Sequence, residues 1–104
     1  MNFGEFQSLV STAQQDMEKT LAEKGVEYAP DRDRLSNFKK IERLTGVAAP
    51  MVCIILMSKH YVSICEMAQD PLSFKEDLWD EKLGDIRNYT VLLRALIIDE
   101  RSVQ

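Results

Sequence analysis

An all-α fold is predicted by three features of the sequence. Apolar residues recur at three- and four-residue steps through most of its length, the spacing of one helix face. No segment alternates with period two for long enough to form a strand. With 4 glycines and 3 prolines in 104 residues, the turn formers that sandwiches and barrels need are scarce. The helical segments make a compact bundle of about four helices, one domain over residues 1–104.

The first 25 residues read as an amphipathic helix with Phe3, Phe6, Val10, Ala13, Met17 and Leu21 on one face and Gly25 as its stop. Residues 26–33, dense in charge and broken by Pro30, read as a structured loop; Ala29 is extended ahead of the proline, and Asp31 or Asp33 caps the next helix. That second helix carries Leu35, Phe38, Ile41 and Leu44 and ends at Gly46. A third starts near Pro50, which suits a first helical turn, and runs to about Ala68. Val52, Ile55, Leu56, Ile64 and Met67 make it apolar around much of its circumference, as expected of a central helix or of one covered by another subunit. Asp70-Pro71 breaks the chain, and Ser73 with Glu76 three residues later matches a capping box. The fourth helix then runs to about Ile98 with Trp79, Leu83, Ile86, Leu93 and Ile97 inward.

Composition narrows the function classes. Hydrophobic residues are 45% and charged ones 29%, as in an ordinary globular chain. The net charge of −4 argues against binding to extended nucleic acid. Cys53 and Cys65, twelve residues apart on one helix, lie roughly 18 Å apart, beyond disulfide reach. Cys53, inside an apolar run, reads as a small core residue. Free thiols without a signal peptide suggest a reducing cytosol, and the longest apolar stretch, residues 47–57, is about half a bilayer span. No membrane association is expected. So much apolar surface on a chain this short points to a homodimer or higher oligomer.

Three polar clusters are not explained by helical periodicity. Around the start of the second helix, Arg34, Asn37 and Lys39, with Tyr28 before them, can hold a phosphate through side-chain cations and free backbone N–H groups, or can be solvated charges around a cap. On the third helix Lys59, His60 and Ser63 interrupt an apolar stripe. They read either as a snorkelling lysine beside a surface histidine or as a cation aimed into a pocket. His60 without a second histidine or a cysteine partner is no zinc site. On the fourth helix Glu81, Asp85 and Asn88 share a stripe with Tyr89 at its flank. Paired carboxylates four apart grip a divalent cation or a lysine, or simply face solvent. Gly84 between them suggests a close approach, since a mid-helix glycine costs about 1 kcal/mol against alanine.

Taken together, KGVEYAPDRDRLSNFK (24–39), SKHYVSI (58–64) and LWDEKLGDIRNY (78–89) resemble small phage-encoded helical proteins related to the nucleotide-modification-associated domains, and EKLGD (81–85) resembles the second acidic motif of the MazG-like nucleotide pyrophosphohydrolases. The resemblance covers roughly residues 20–100. It implies an all-α bundle, a nucleotide-type ligand and oligomerisation. The hydrolases hold Mg²⁺ against a triphosphate with two acidic pairs on neighbouring helices. Here Lys82 stands where the second motif expects an acid, and Lys59, His60 and Ser63 stand where the first pair belongs. A lysine repels Mg²⁺ but binds phosphate directly.

Three readings follow. In the first, a phage protein in the infected host's cytoplasm captures a nucleotide or a cyclic, nucleotide-derived immune signal without metal-dependent turnover and without a cofactor. Arg34, Lys39, Lys59 and His60 would contact phosphate, Asn37 and Asn88 would read base or ribose edges, Tyr28 or Tyr89 would stack, and Ser63 would line the site. In the second, a Mg²⁺-dependent pyrophosphohydrolase, Glu81 and Asp85, with Glu27, Asp31 or Asp33, would hold the metal. In the third, the chain is a helical protein–protein interaction module.

Overall fold

The computed structural model describes residues 1–28 and 33–103, and side-chain surroundings for 1–24 and 33–102. Among the described residues there are four α-helices and no strand: α1 (Phe3–Tyr28), α2 (Ser36–Thr45), α3 (Ala49–Met67) and α4 (Glu76–Val103), with a short 3₁₀ turn (Pro71–Ser73) before α4.

The core lies where α2, α3 and α4 meet, and consists of Leu35, Phe38, Ala49, Val52, Cys53 and Leu96. Cys53 is fully buried, as its apolar setting predicts. Its thiol donates to the Tyr89 carbonyl at 3.6 Å, and burial pushes its ionisation above the usual thiol range. Both cysteines are free. The α2–α3 corner bends by 102° and is tied by short-range bonds. Gly46 takes φ 75°, the left-handed C-cap conformation glycine adopts without strain, and its N–H reaches the Glu42 carbonyl at 2.8 Å. The Glu42 carboxylate then accepts the Ala49 N–H at 3.0 Å, satisfying a free amide in the first turn of α3. Pro50 sits in that first turn, where its missing N–H leaves no bond unmade.

Several expectations need correction. Gly25 does not stop α1, which runs on through Tyr28; a glycine ends a helix when it turns left-handed, as Gly46 does, and otherwise only weakens it. The expected loop thus loses residues 26–28, and its remainder at 29–32, with the cap assigned to Asp31, lies outside the described residues. Asp33 does not cap α2, whose N-cap is Leu35 without a side-chain cap bond; it shapes the turn before the helix, its carboxylate accepting the Leu35 N–H at 2.9 Å and its carbonyl the Ser36 N–H at 3.0 Å. The Ser73–Glu76 capping box does not form. The N–H groups of Leu78 and Trp79 reach the Lys75 carbonyl, so Glu76 opens the helix instead of lying three residues inside it, and Ser73 donates to Asp70. Trp79 fastens the turn instead, its indole N–H donating to the Pro71 carbonyl at 2.9 Å. Helix α4 continues to Val103, past the expected end at Ile98.

Leu44 and Leu83 were expected inside and are 85% and 46% exposed, while Leu96, which the stripe omitted, is 1% exposed and central. The face of α4 that packs is set by Tyr89, Leu92, Leu93 and Leu96, rotated from the expected one. Helix α3 is not enclosed: Met51, Ile54, Ile55, Leu56, Tyr61 and Val62 are exposed. Helix α1 packs mainly along α4 and, among the described residues, supplies none to the core, leaving Phe3, Phe6 and Leu9 exposed. Among the described residues, no single helix is long and apolar enough to cross a membrane.

Candidate functional site

Two cavities flank α4. The first, of about 410 Å³, is framed by α1, the start of α2, α3 and α4. Its apolar floor is Leu21, Phe38, Ile41, Leu56 and Leu92, and its cations are Lys24, Arg34 and Lys40. Asn37 and Asn88 add amides, Tyr89 an aromatic ring, and Asp85 the one carboxylate among the described lining residues. Helical spacing explains the convergence. Asn37, Lys40 and Ile41 share one face of α2, while Asp85, Asn88, Tyr89 and Leu92 fall at i, i+3, i+4 and i+7 on α4. Arg34 stands in the turn that Asp33 fixes before α2.

The second cavity, of about 320 Å³, lies between α1 and α4 and has the opposite character. Asp16, Glu23, Asp80, Glu81 and Asp85 line it, against Lys19 and Arg87. Asp85 and Asn88 border both cavities. Among the described residues, the Asn88 side-chain carbonyl oxygen and the Arg87 Nε are buried without a hydrogen-bond partner, an unmet demand that a bound molecule or water can satisfy. Among the described residues, no three of histidine, cysteine, aspartate and glutamate converge closely enough to hold a metal ion.

His60 joins the two helices at this junction. Its Nδ1 stands 3.4 Å from an Asp85 carboxylate oxygen, and its ring lies 5.3 Å from the Tyr89 ring at a tilt of 36°. The imidazole thus holds Asp85 and Tyr89 at the edge of the first cavity and aligns two side chains that face it.

No protein-family model, curated protein or solved structure matches this chain.

The residues singled out from the sequence fall into groups. Arg34, Asn37, Asn88 and Tyr89 meet in the first cavity, with His60 braced against Asp85 and Tyr89. Glu81 and Asp85 line the second. Lys39 is elsewhere: its ammonium donates to Asp33 and, at 2.8 Å, to Asp99, tying the start of α2 to the end of α4. The hydrogen bond to Asp33 raises Lys39 above the usual lysine range, while Lys39 and the Leu35 N–H hold the Asp33 carboxyl below its own. Lys59 is exposed and, like Ser63, lines neither cavity. The side chains of Tyr28 and Glu27, and Asp31 as a whole, lie outside the described residues.

Sequence reasoning missed Lys24, Lys40 and the apolar floor. The signal for Lys40 was available, because Asn37 and Lys40, three residues apart, share a face of α2 that Lys39 does not. It also missed the acidic side of α1: Asp16 and Glu23, two turns apart, face Glu81 and Asp85 across the second cavity.

Proposed function

We propose that this protein binds a nucleotide-type small anion in the first cavity and holds it without turnover, with a nucleotide-derived immune signal of an infected cell as the ligand class. The observation that carries this reading is the meeting of Lys24, Arg34 and Lys40 with two amides and an apolar floor in one concavity. Cations of this kind bind phosphate through charge-assisted hydrogen bonds, with arginine offering two at once. The amides of Asn37 and Asn88 offer donors and acceptors to a base or ribose edge, and the floor beside Tyr89 suits an aromatic heterocycle. A volume near 410 Å³ falls in the range of small-molecule sites.

The resemblance supports the same reading. Its first segment supplies Lys24, Arg34 and Asn37, its second supplies His60, and its third supplies Asp85, Asn88 and Tyr89, all in or beside the first cavity. Self-association of the chain belongs to this reading too, as does a phage setting.

A second reading, a magnesium-dependent pyrophosphohydrolase, draws on the acidic second cavity, where Glu81 and Asp85 face Asp16 and Glu23. The two readings differ in outcome. A panel of mono-, di-, tri- and cyclic nucleotides is incubated with the protein, with and without Mg²⁺, and the free pool is chromatographed before and after heat denaturation. Capture predicts a ligand that leaves the free pool and returns intact on denaturation, with or without the metal. Appearance of monophosphate and pyrophosphate in the Mg²⁺ arm would transfer the assignment to the hydrolase. Arg34→Ala is expected to weaken capture by about 10- to 100-fold, the size of one or two hydrogen bonds to a charged group. Lys75→Ala, at an exposed position before α4 and away from both cavities, should leave it unchanged.

A further inference from the structure

The exposed side of α3 carries more apolar surface than an isolated helix of a small protein keeps in water. Met51, Ile55, Ser58, Val62 and Cys65 follow one another at steps of four, three, four and three residues, the repeat of a helix-pairing seam. They lie on the side of α3 away from Val52, Cys53 and Met67, which are buried, and Ile55 and Val62 are 55% and 56% exposed. No charge interrupts the seam. The two charged residues that α3 carries beside His60 are Lys59 and Glu66, both exposed, two turns apart along one flank.

We infer that this face is the interface with a second copy of the chain, α3 against α3 about a two-fold axis. Three observations select that occupant. The accessible surface is 7746 Å², whereas a folded monomer of 11.9 kDa is expected to expose about 5,900 Å². The excess, about 1,800 Å², is spread over the whole chain, α1 included, and is more than the roughly 800 Å² that each partner buries in an interface of standard size. The seam is also self-complementary, as a two-fold interface requires: β-branched residues at the alternate positions 55 and 62 and a small serine at its centre let two copies approach closely. Finally, the charges of α3, Lys59 and Glu66, stand on one flank outside the seam, so that pairing through the seam buries neither of them. The interface stands apart from ligand capture, since none of the five seam residues lines either cavity.

Sedimentation equilibrium of the full chain from about 1 to 100 µM tests this directly. A dimer is expected for the wild type, and Ile55→Asp and Val62→Asp are each expected to weaken it by at least about 100-fold, because an unpaired carboxylate would be buried. These positions are exposed in the single chain, so the variants should keep the helical circular dichroism of the wild type. Leu44→Asp, on the exposed side of α2, should remain dimeric. Ser58→Cys in a Cys65→Ser background should cross-link under mild oxidation. A wild type that stays monomeric throughout, including one that floats with phosphatidylcholine vesicles, overturns the inference, as does a dimer that both aspartate variants leave intact.

Discussion

Gly84 separates what a residue's identity suggests from what its surroundings require. Glycine in the middle of a helix weakens it by about 1 kcal/mol relative to alanine, which makes a close neighbour the natural suspicion. A Cβ built at this position, however, meets only the Arg87 guanidinium, at 3.5 Å, an ordinary contact with the movable end of a side chain. Gly84→Ala is therefore expected to stabilise the protein by about 0.5–1 kcal/mol and to raise the calorimetric midpoint by a few degrees. A lower midpoint would mean that α4 needs a bare backbone here. Other residues of the site were easier to read. Asp85, Asn88 and Tyr89 are placed together by helical spacing alone, and Asn37 is joined by Arg34 from the turn before α2. The choice between Lys39 and Lys40, or between Lys59 and His60, turns on one residue's rotation of about 100°. On α3, apolar nearly all round, that rotation is fixed by packing on α4 and leaves little trace in the pattern.

At the scale of elements, the short helix α2 depends on one lysine. Lys39 bonds Asp33, which organises the turn before α2, and Asp99 near the end of α4, so it fixes the helix at its start and against its neighbour. The sign of the pH dependence follows from the two shifts. Asp33 is held below its ordinary value of 3.8, so its contribution is present above that pH and disappears as pH falls through the lower, folded-state value. Lys39 is raised above 10.5, so its contribution is present below that pH and is lost as pH rises through the higher, folded-state value. Between about pH 5 and 10 the cluster is fully formed. Thermal unfolding of the wild type and of Lys39→Met should differ by a constant, modest amount across that window, the pair being solvent-screened, and the two should converge in strong acid. A difference that grows toward low pH would contradict the assignment. The existence and order of the four helices were legible because each holds its period for ten residues or more. Their ends were not, since Gly25 and Gly46 look alike in sequence and differ only in whether the chain turns left-handed.

At the scale of the whole molecule, α1 is the loosely held part. The core is built from α2, α3 and α4, while α1 lies along α4 through half-buried side chains. The chain is accordingly extended, 46 × 27 × 25 Å with a radius of gyration of 15.9 Å, against about 13 Å for a compact domain of this length. A sequence pattern marks which face of a helix is apolar and is silent on what covers it, so Phe3 and Phe6 look internal in sequence and are exposed in the single chain. The first cavity offers α1 a second attachment. Leu21 and Lys24 come from α1, Arg34 and Lys40 from in and before α2, and like charges facing one another repel until an anion lies between them. A bound phosphate would turn that repulsion into attraction on both sides and staple α1 to α2. Local opening of α1 should then become rarer by as much as binding stabilises the closed form, up to about 2.7 kcal/mol, or about 100-fold, at a ligand concentration of 100 Kd. Hydrogen exchange read by mass spectrometry, with and without a nucleotide that binds by calorimetry, should show slowed exchange in residues 13–24 and little change in α3, whose buried residues already belong to the core. Arg34→Ala should remove that slowing at equal ligand concentration. Unchanged exchange in α1 at saturating ligand would mean that the anion does not bridge the two helices and that Lys24 takes no part in holding it.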